Sequence, residues 1–363
     1  MLPLCFERLR PRLFSRSSIQ SCGAALVRAA GVAALIGAVA CSSDDDGGTV
    51  ALADSGVVAR LTDGEIGIPT TVAVADGVAW IVESQFDRYE PFVGPGAGEP
   101  APFRLIGLQL NGNTYSEISL PPQFFPEGIA ATRGGRLFVG SVRTGAIYMV
   151  PAGSDQYEIF SSELRPSTIG MTVSRDNQTL WLCSTDTVNA TGLVIGLGIS
   201  DRARVGTHEL PVSDAGSFCN DLAMSPDGAL WITESFGGRI FRIAPENLSV
   251  DNSAEVWLED EQLARPMPGQ FGVNGITILG DTLYVVVTDP GALFGIDMTL
   301  ENPTGNDLRE VDLFDRNGDQ ITLARPDGIT AIPDSNTDIL IVENGLGVAD
   351  AGKQLLRARL DRL

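Results

Sequence analysis

Four polar residues at the start of similar sequence segments have side chains that could bind a metal ion. They are Glu127, Asn220, Asn274 and Asp327. Two carboxylates and two carboxamides that converge would repel one another or stay unsatisfied unless a cation lies between them. Mixed oxygen donors of this kind suit one divalent ion, Ca²⁺ first, with Mg²⁺, Mn²⁺ or Zn²⁺ as alternatives. The sequence therefore predicts a metal site, provided that the fold brings the four residues together.

Each of these positions, taken alone, also has an ordinary structural explanation. Glu-Gly, Asn-Asp, Asn-Gly and Asp-Gly are all common turn formers. That explanation loses weight because the four dipeptides occur in register within a repeat.

The elements that would position these residues come from a unit repeated six times. Each copy reads as a short apolar strand, a polar turn and a second apolar strand, and a third and usually a more polar fourth strand follow. We call the aligned position at the start of each first strand the slot. The slot residues are Thr70, Glu127, Ile169, Asn220, Asn274 and Asp327, at spacings of 57, 42, 51, 54 and 53 residues. Units of this length with four strands predict an all-β, six-bladed β-propeller with four-stranded blades.

The sixth copy lacks an obvious outer strand, whereas an unassigned strand, GVVARL at residues 56–61, precedes the first copy. A free strand edge is costly. We therefore expect the N-terminal strand to complete the last blade, with the propeller spanning residues 55–363.

The ordered set of slot motifs resembles the senescence-marker-protein/gluconolactonase/luciferin-regenerating-enzyme family of six-bladed propellers. The matching motifs, which fall within residues 126–344, are Glu127-Gly128, Asn220-Asp221, Asn274-Gly275 and Pro326-Asp327-Gly328. This resemblance implies that Glu127, Asn274 and Asp327 bind one metal ion. It implies that Asn220 lies beside them, in contact with substrate or metal-bound water.

The sequence departs from that family in two respects. An extra blade precedes the one that bears Glu127, although the cyclic order of the slots is preserved. Sugar-lactone hydrolases of the family usually have an R-x-N-D pattern at the N-D motif, whereas this chain has Phe218-Cys219-Asn220-Asp221. An aromatic residue in place of the arginine favours a substrate less polar than a sugar lactone.

Other catalytic arrangements are excluded by residue counts and motifs. The single histidine, His208, lies in the predicted outer strand RVGTHEL, and the sequence has no G-x-S-x-G motif, zinc-type Cys/His cluster or phosphate-binding loop. Metal-assisted hydrolysis of a lactone or ester remains, with Asp327 as general base and Asn220 orienting substrate or water. The alternative is a non-catalytic propeller that binds a ligand or protein partner while the metal is structural.

The N-terminal segment has the features of an export signal. Residues 1–40 carry five arginines and end in an apolar stretch of small residues too short to span a membrane. The sequence Ala38-Val39-Ala40-Cys41 resembles a relaxed bacterial lipobox, which predicts lipidation of Cys41; the alternative is an ordinary A-x-A cleavage site. Residues 41–54 are predicted to form a flexible tether. We expect a protein of the bacterial cell envelope, attached to a membrane by its lipid.

The charge of the exported chain narrows the range of partners. Without residues 1–40 it has 20 basic and 45 acidic residues, a net charge of −25. Such a surface repels phosphate backbones, so no nucleic-acid partner is expected. The predicted partner is a small molecule in the central channel, and we expect a monomer.

Two local patterns complete the sequence predictions. Cys183 and Cys219 are the cysteines left in the folded part, and the repeat alignment predicts a disulfide between them, with two buried free thiols as the alternative. Residues 315–319 read D-R-N-G-D, like the start of a calcium loop. They have no distal acidic ligand, and we interpret them as a hairpin turn.

Overall fold

The computed structural model describes residues 50–52, 55–60, 67–110, 115–162, 166–346 and 353–360. The predicted signal peptide, Cys41 and most of the predicted tether lie outside these ranges. Among the described residues no helix is both long and apolar enough to cross a membrane.

The described residues form β-strands that are grouped into six blades. Two strands, β1 (Val50–Leu52) and β2 (Gly56–Arg60), precede the first blade. Blade 1 contains β3 (Pro69–Ala75), β4 (Val78–Glu83), β5 (Arg104–Gln109) and β6 (Tyr115–Ser119). Blade 2 contains β7 (Pro126–Ala131), β8 (Leu137–Ser141), β9 (Ile147–Val150) and β10 (Glu158–Ser161). Blade 3 contains β11 (Met171–Val173), β12 (Thr179–Asp186), β13 (Thr191–Gly198) and β14 (Arg204–Glu209).

The second half of the chain continues the pattern. Blade 4 contains β15 (Cys219–Met224), β16 (Leu230–Glu234), β17 (Arg239–Ile243) and β18 (Glu255–Glu259). Blade 5 contains β19 (Val273–Leu279), β20 (Thr282–Val287), β21 (Ala292–Asp297) and β22 (Arg309–Phe314), and the short β23 (Gln320–Ile321) follows. Blade 6 contains β24 (Pro326–Ala331), β25 (Asp338–Glu343) and β26 (Gln354–Arg359). The helical segments are short: α1 (Glu90–Val93) and the 3₁₀ turns Phe86–Arg88, Pro245–Asn247 and Gly305–Asp307.

The blades form a closed ring, which confirms the predicted six-bladed propeller. The innermost strands of successive blades contact one another, and β24 of the last blade returns to β3 of the first. Blade 6 obtains its fourth strand from the N-terminal side, because β2 pairs antiparallel with β26. The predicted ring closure is therefore present, and it covers the strand edge that β26 would otherwise expose.

One short strand lies where the sequence predicts only tether. Strand β1 pairs in parallel with the outer strand β22, with Val50 opposite Val311. Strand β22 also pairs with β23, and the turn between them spans Asp315–Asp319. This region is thus the hairpin that the sequence predicts, and its outer edge accepts β1.

Apolar side chains from neighbouring blades form the core. Between blades 2 and 3, for example, Phe138 and Ile147 pack with Leu180 and Leu182. All four side chains are fully buried. Burying a side chain of this size contributes about 1.5–3 kcal/mol, so each blade interface is a substantial source of stability.

A disulfide joins blades 3 and 4 at the inner side of the ring. Cys183 lies in β12 and Cys219 begins β15, and their Cα atoms are 5.3 Å apart, within the range that a disulfide requires. Both residues are fully buried. The bridge therefore holds the strand on which Asn220 follows Cys219.

We expect the double variant Cys183→Ala/Cys219→Ala to have a free energy of unfolding lower by about 3–4 kcal/mol. The bridge closes a loop of 36 residues, and cross-linking a loop of that length removes entropy from the unfolded chain. Urea unfolding of the wild type, with and without reductant, and of the variant measures the effect. The prediction would be contradicted if the reduced wild type and the variant both unfolded at the same urea concentration as the oxidised wild type.

Candidate metal centre

The four predicted site residues occupy the same structural position in four blades. Glu127, Asn220, Asn274 and Asp327 are each the second residue of an innermost strand, and each is only 3–9% exposed. Equivalent positions in a closed ring lie at the same end of the central channel. The structure therefore places all four near one end of the channel, as the repeat predicts.

A β-bulge positions each of these side chains. In blades 1, 2, 4, 5 and 6 the slot residue and its successor together face a single residue of the second strand. A bulge bends the strand and redirects a side chain out of the regular alternation. The successor glycines serve close packing between blades: a Cβ on Gly128 would collide with the carbonyl of Ile169, and one on Gly275 with the carbonyl of Asp327. The motifs thus lie inside strands and not in turns.

A second row of polar residues, directly after the second strand, orients the slot residues. The Nδ2 of Asn220 donates to the Oγ of Ser235 at 2.8 Å, and the Nδ2 of Asn274 donates to the Oγ1 of Thr288 at 2.9 Å. The Nδ2 of Asn344 donates to a carboxylate oxygen of Asp327 at 2.8 Å. A carboxamide that donates through its nitrogen keeps its oxygen available as an acceptor or ligand.

The hydroxyls of Ser235 and Thr288 also connect blade 4 to blade 5 and blade 5 to blade 6. Ser235 donates to the carbonyl of Val273 at 2.6 Å, and Thr288 donates to the carbonyl of Pro326 at 2.9 Å. One side chain therefore fixes both the orientation of a slot residue and the position of the neighbouring strand.

The carboxyl groups at this end of the channel are buried without adequate compensation. Burial, together with the nearby Asp327 and Asp221, raises the pKa of Glu127 well above its usual range, and its Oε2 is buried without a hydrogen-bond partner. Burial raises the pKa of Asp327 to about 6, although hydrogen bonds from Asn344 and Asn274 oppose the shift. Like charges at short range with an orphaned oxygen fit a cation between them.

The donor set also limits how a cation would be bound. Within the described parts of the chain, no three His, Cys, Asp or Glu side chains converge closely enough to form a metal site on their own. Two carboxylates, Glu127 and Asp327, would supply the charge, and carboxamide oxygens would supply further ligands. Oxygen donors alone suit a hard ion such as Ca²⁺ better than Zn²⁺.

The four predicted site residues do not all interact with one another. Asn274 hydrogen-bonds to Asp327, and the charges of Glu127 and Asp327 influence one another. Asn220 has the equivalent position in blade 4, but its amide hydrogen bond is to Ser235 and not to another slot residue. Asn220 lies at the same end of the channel as the other three, and its contact with substrate or water stays a prediction.

Sequence reasoning missed two charged residues at this centre. Asp221, which follows Asn220, accepts hydrogen bonds from the backbone N–H groups of Leu222 and Ile276 at 2.9 and 3.2 Å. Burial raises its pKa to about 7. Arg325, two residues before Asp327, pairs with Asp289 at 3.2 Å. The sequence signal that could have identified both residues is their position, since Asp221 belongs to the Asn220-Asp221 motif and Arg325 directly precedes the Pro326-Asp327-Gly328 motif.

Two other residue groups lie away from the centre. His208 is buried in the outer strand β14, where its ring contacts the carbonyl of Leu248 and the side chain of Ser253, and burial lowers its pKa. Asp315 lies in an exposed turn and accepts hydrogen bonds from the N–H groups of Asn317 and Asp319. These positions agree with the sequence interpretation of an outer-strand histidine and a hairpin turn.

Thr288→Val should lower Ca²⁺ affinity by about 10- to 100-fold, because outer hydrogen-bond partners of metal ligands typically have effects of that size. Valine keeps the shape of threonine but removes the hydroxyl that accepts a hydrogen bond from the Nδ2 of Asn274. Calorimetric titration with CaCl₂ measures the change. Thr282→Val, at the start of the same blade's second strand, is the control; equal affinities in both variants and the wild type would contradict the role of Thr288.

Comparison with known proteins identifies the fold. No protein-family model and no curated protein matches the sequence. Among solved structures, a luciferin-regenerating enzyme is 15% identical over 81% of this chain and 92% of its own, with a TM-score of 0.57. A calcium-binding protein, regucalcin, from Agrobacterium tumefaciens is 13% identical over 87% of this chain and 100% of its own, with a TM-score of 0.57.

A third neighbour has a different chemistry. It is a catalytically inactive histidine-to-alanine variant of virginiamycin B lyase from Staphylococcus aureus with quinupristin, 17% identical over 84% of this chain and 98% of its own, with a TM-score of 0.53. The neighbours thus include a luciferin-regenerating enzyme and regucalcin, in agreement with the family that the slot motifs resemble. At these identities, what they share with this chain is the overall fold, and one fold supports many functions.

Proposed function

We propose that this protein is an exported, metal-dependent hydrolase of lactones or esters. The observation that supports the proposal best is the orphaned Oε2 of Glu127, buried beside the carboxyl group of Asp327 at the slot end of the channel. A bound divalent cation, Ca²⁺ first, would compensate the two carboxylates and would polarise the carbonyl of a lactone or ester.

The residues of the chain have separate roles in this proposal. Asp327 is the general base: hydrogen bonds from Asn344 and Asn274 hold its carboxylate, which takes a proton from the attacking water. Glu127, Asn274 and Asp327 bind the cation, and Asn220, beside them, orients substrate or water. The aromatic Phe218, in place of an arginine, favours a substrate less polar than a sugar lactone.

A histidine-based mechanism does not fit. The virginiamycin B lyase variant is catalytically inactive with alanine in place of a histidine. The one histidine of this chain, His208, is buried in an outer strand, so it has no access to the channel. Lyase chemistry that depends on histidine is therefore not our proposal.

Turnover assays with a panel of lactones and aryl esters, with and without EDTA, test the proposal. We expect hydrolysis that EDTA abolishes and Ca²⁺ restores. No turnover by a protein that binds Ca²⁺ would favour the second candidate, a non-catalytic propeller that binds a ligand or protein partner and keeps a structural metal. The deep burial of the slot residues is the observation that favours that candidate.

The cellular location is part of the proposal. We propose attachment to the bacterial cell envelope through a lipid on Cys41, with a monomeric propeller outside the cytoplasm and no nucleic-acid partner. In a bacterial host, Cys41→Ser should move the protein from the membrane fraction to the soluble fraction, because the acyl chains are attached at this cysteine. A wild-type protein that is soluble and unlipidated by mass spectrometry would contradict the prediction.

A further inference from the structure

The connection between β4 and β5 is much longer than the equivalent connections in other blades. It spans residues 84–103, compared with 142–146 in blade 2, 235–238 in blade 4 and 288–291 in blade 5. It is an ordered element: Gln85 and Ala101 exchange hydrogen bonds of 2.8 and 3.1 Å. Because β4 ends beside the start of β3, this connection leaves blade 1 at the slot end of the channel.

This connection reaches across the channel to a blade that is not its neighbour. The ring of Phe92, in α1, lies 6.4 Å from the ring of Phe271, which immediately precedes blade 5. Blade 1 contacts blades 6 and 2 in the ring. The contact between Phe92 and Phe271 therefore spans the end of the channel above the slot residues.

Further aromatic rings lie next to Phe92 and Phe271 at the same end of the channel. Phe271 lies 5.3 Å from Phe218 and 6.2 Å from Phe236, and Tyr89 lies 5.4 Å from Phe92. We call these five rings, Tyr89, Phe92, Phe218, Phe236 and Phe271, the aromatic roof. Phe218 stands two residues before Asn220 and Phe271 three before Asn274, so the roof is built directly onto the slot strands.

The roof leaves aromatic edges accessible above the candidate metal centre. Tyr89, Phe92, Phe236 and Phe271 are each partly exposed, whereas the supporting Phe86 and Phe103 are buried. The guanidinium of Arg265 lies 3.7 Å from the ring centre of Phe236 and donates to the carbonyl of Ala215, so this cation is already engaged. Partly exposed, clustered rings beside polar groups are typical of a site for an apolar ligand.

The contact between Phe92 and Phe271 is the weakest part of the roof. It is the longest of the roof's ring contacts, and among the described residues no hydrogen bond joins residues 84–103 to residues 260–272. A flat ring that lies beside this contact, with its centre 4.5–7 Å from both ring centres, would gain a face or edge contact with each of them.

We propose that the aromatic roof recognises the substrate and restricts the candidate site to lactones or esters that carry an aromatic ring. This inference rests on the proposed hydrolase for the reacting group, but the recognition of the ring does not depend on turnover. Phe92 and Phe271 hold the aromatic ring while the ester group lies toward Asn220, Asn274 and Asp327.

Binding of unreactive ligands tests the recognition separately from catalysis. Calorimetry with 2-phenyltetrahydrofuran and 2-methyltetrahydrofuran should show about 10-fold tighter binding of the phenyl compound, equivalent to about 1.4 kcal/mol. Phe92→Ala and Phe271→Ala should each reduce this preference to about 3-fold or less, with Ca²⁺ affinity unchanged. Tyr157→Ala removes an exposed aromatic ring from blade 2, away from the roof, and should leave the preference intact.

Hydrolysis assays complete the test. With γ-phenyl- and γ-methyl-γ-butyrolactone, the wild type should show the same preference in kcat/KM, and the two roof variants should lose it. A phenyl preference in binding without hydrolysis of either lactone would support the roof and contradict the hydrolase. Equal binding of the two ethers by the wild type, or a preference that survives both roof variants, would overturn the inference.

Discussion

Asp327→Ala is expected to weaken Ca²⁺ binding by more than about 100-fold and to abolish hydrolysis, while the propeller stays folded. The substitution removes one of the two carboxylates that we assign as metal ligands, and loss of even an outer partner of a metal ligand commonly has a 10- to 100-fold effect. It also removes the group that we assign as general base and the acceptor for the side chain of Asn344. Calorimetric titration with CaCl₂ and the lactone assay measure the two losses.

The matched control is Asp315→Ala. Asp315 lies in the exposed turn between β22 and β23, in the sequence that imitates a calcium loop. We expect this variant to bind Ca²⁺ like the wild type. The opposite pattern, with binding lost at Asp315 and kept at Asp327, would move the metal site to the turn and would contradict our assignment.

The sequence predicted the propeller because a ring of blades is a repeat, and a repeat is visible without any knowledge of long-range contacts. The spacing of the slots identified the blades, and the unpaired strand at Gly56–Arg60 identified the closure. The alignment of the repeats placed Cys183 and Cys219 on adjacent blades. Each of these predictions uses only local pattern and the cost of an open edge.

Other features depend on contacts that no local pattern encodes. Val50–Leu52 became a strand because the outer edge of β22 is available to it in the folded ring. The aromatic roof joins Phe92 to Phe271, which are far apart in the sequence and meet only across the channel. The bulges explain why the slot motifs look like turns: the dipeptides are chosen for close packing between blades and for the direction of one side chain.

The stability of the candidate centre should depend on whether a cation is bound. The three buried carboxyl groups of Glu127, Asp221 and Asp327 have raised pKa values, so ionisation without a compensating charge disfavours the folded state. A group whose pKa is higher in the folded than in the unfolded protein stabilises the fold while it is protonated, at low pH. That contribution is lost as the pH rises from the unfolded pKa toward the folded pKa. Without metal, the wild type should therefore lose stability as the pH rises above the usual pKa values of the three groups, 3.8 for aspartate and 4.5 for glutamate.

Glu127→Gln should stabilise the protein in the absence of metal and remove most of its stabilisation by calcium. In EDTA the variant should unfold at a higher temperature than the wild type, and its stability should depend less on pH. Glutamine keeps nearly the shape of glutamate but carries no charge, so it removes the repulsion between Glu127 and the nearby Asp327 and Asp221. In Ca²⁺ at 100 times its dissociation constant the wild type should gain about 2.7 kcal/mol by mass action, whereas the variant should gain little.

Thermal unfolding of the wild type and of the variant, each in EDTA and in Ca²⁺ from pH 4 to 8, measures these differences. Glu117→Gln, on the exposed outer strand of blade 1, is the control. A Glu127→Gln variant that is less stable than the wild type in EDTA would show that the carboxylate is compensated without metal. A variant that is stabilised by Ca²⁺ as much as the wild type would remove Glu127 from the ligand set. We predict that the variant is more stable than the wild type in EDTA and gains no stability in Ca²⁺. Both results together are expected only if the buried carboxylate of Glu127 is a ligand of a bound cation.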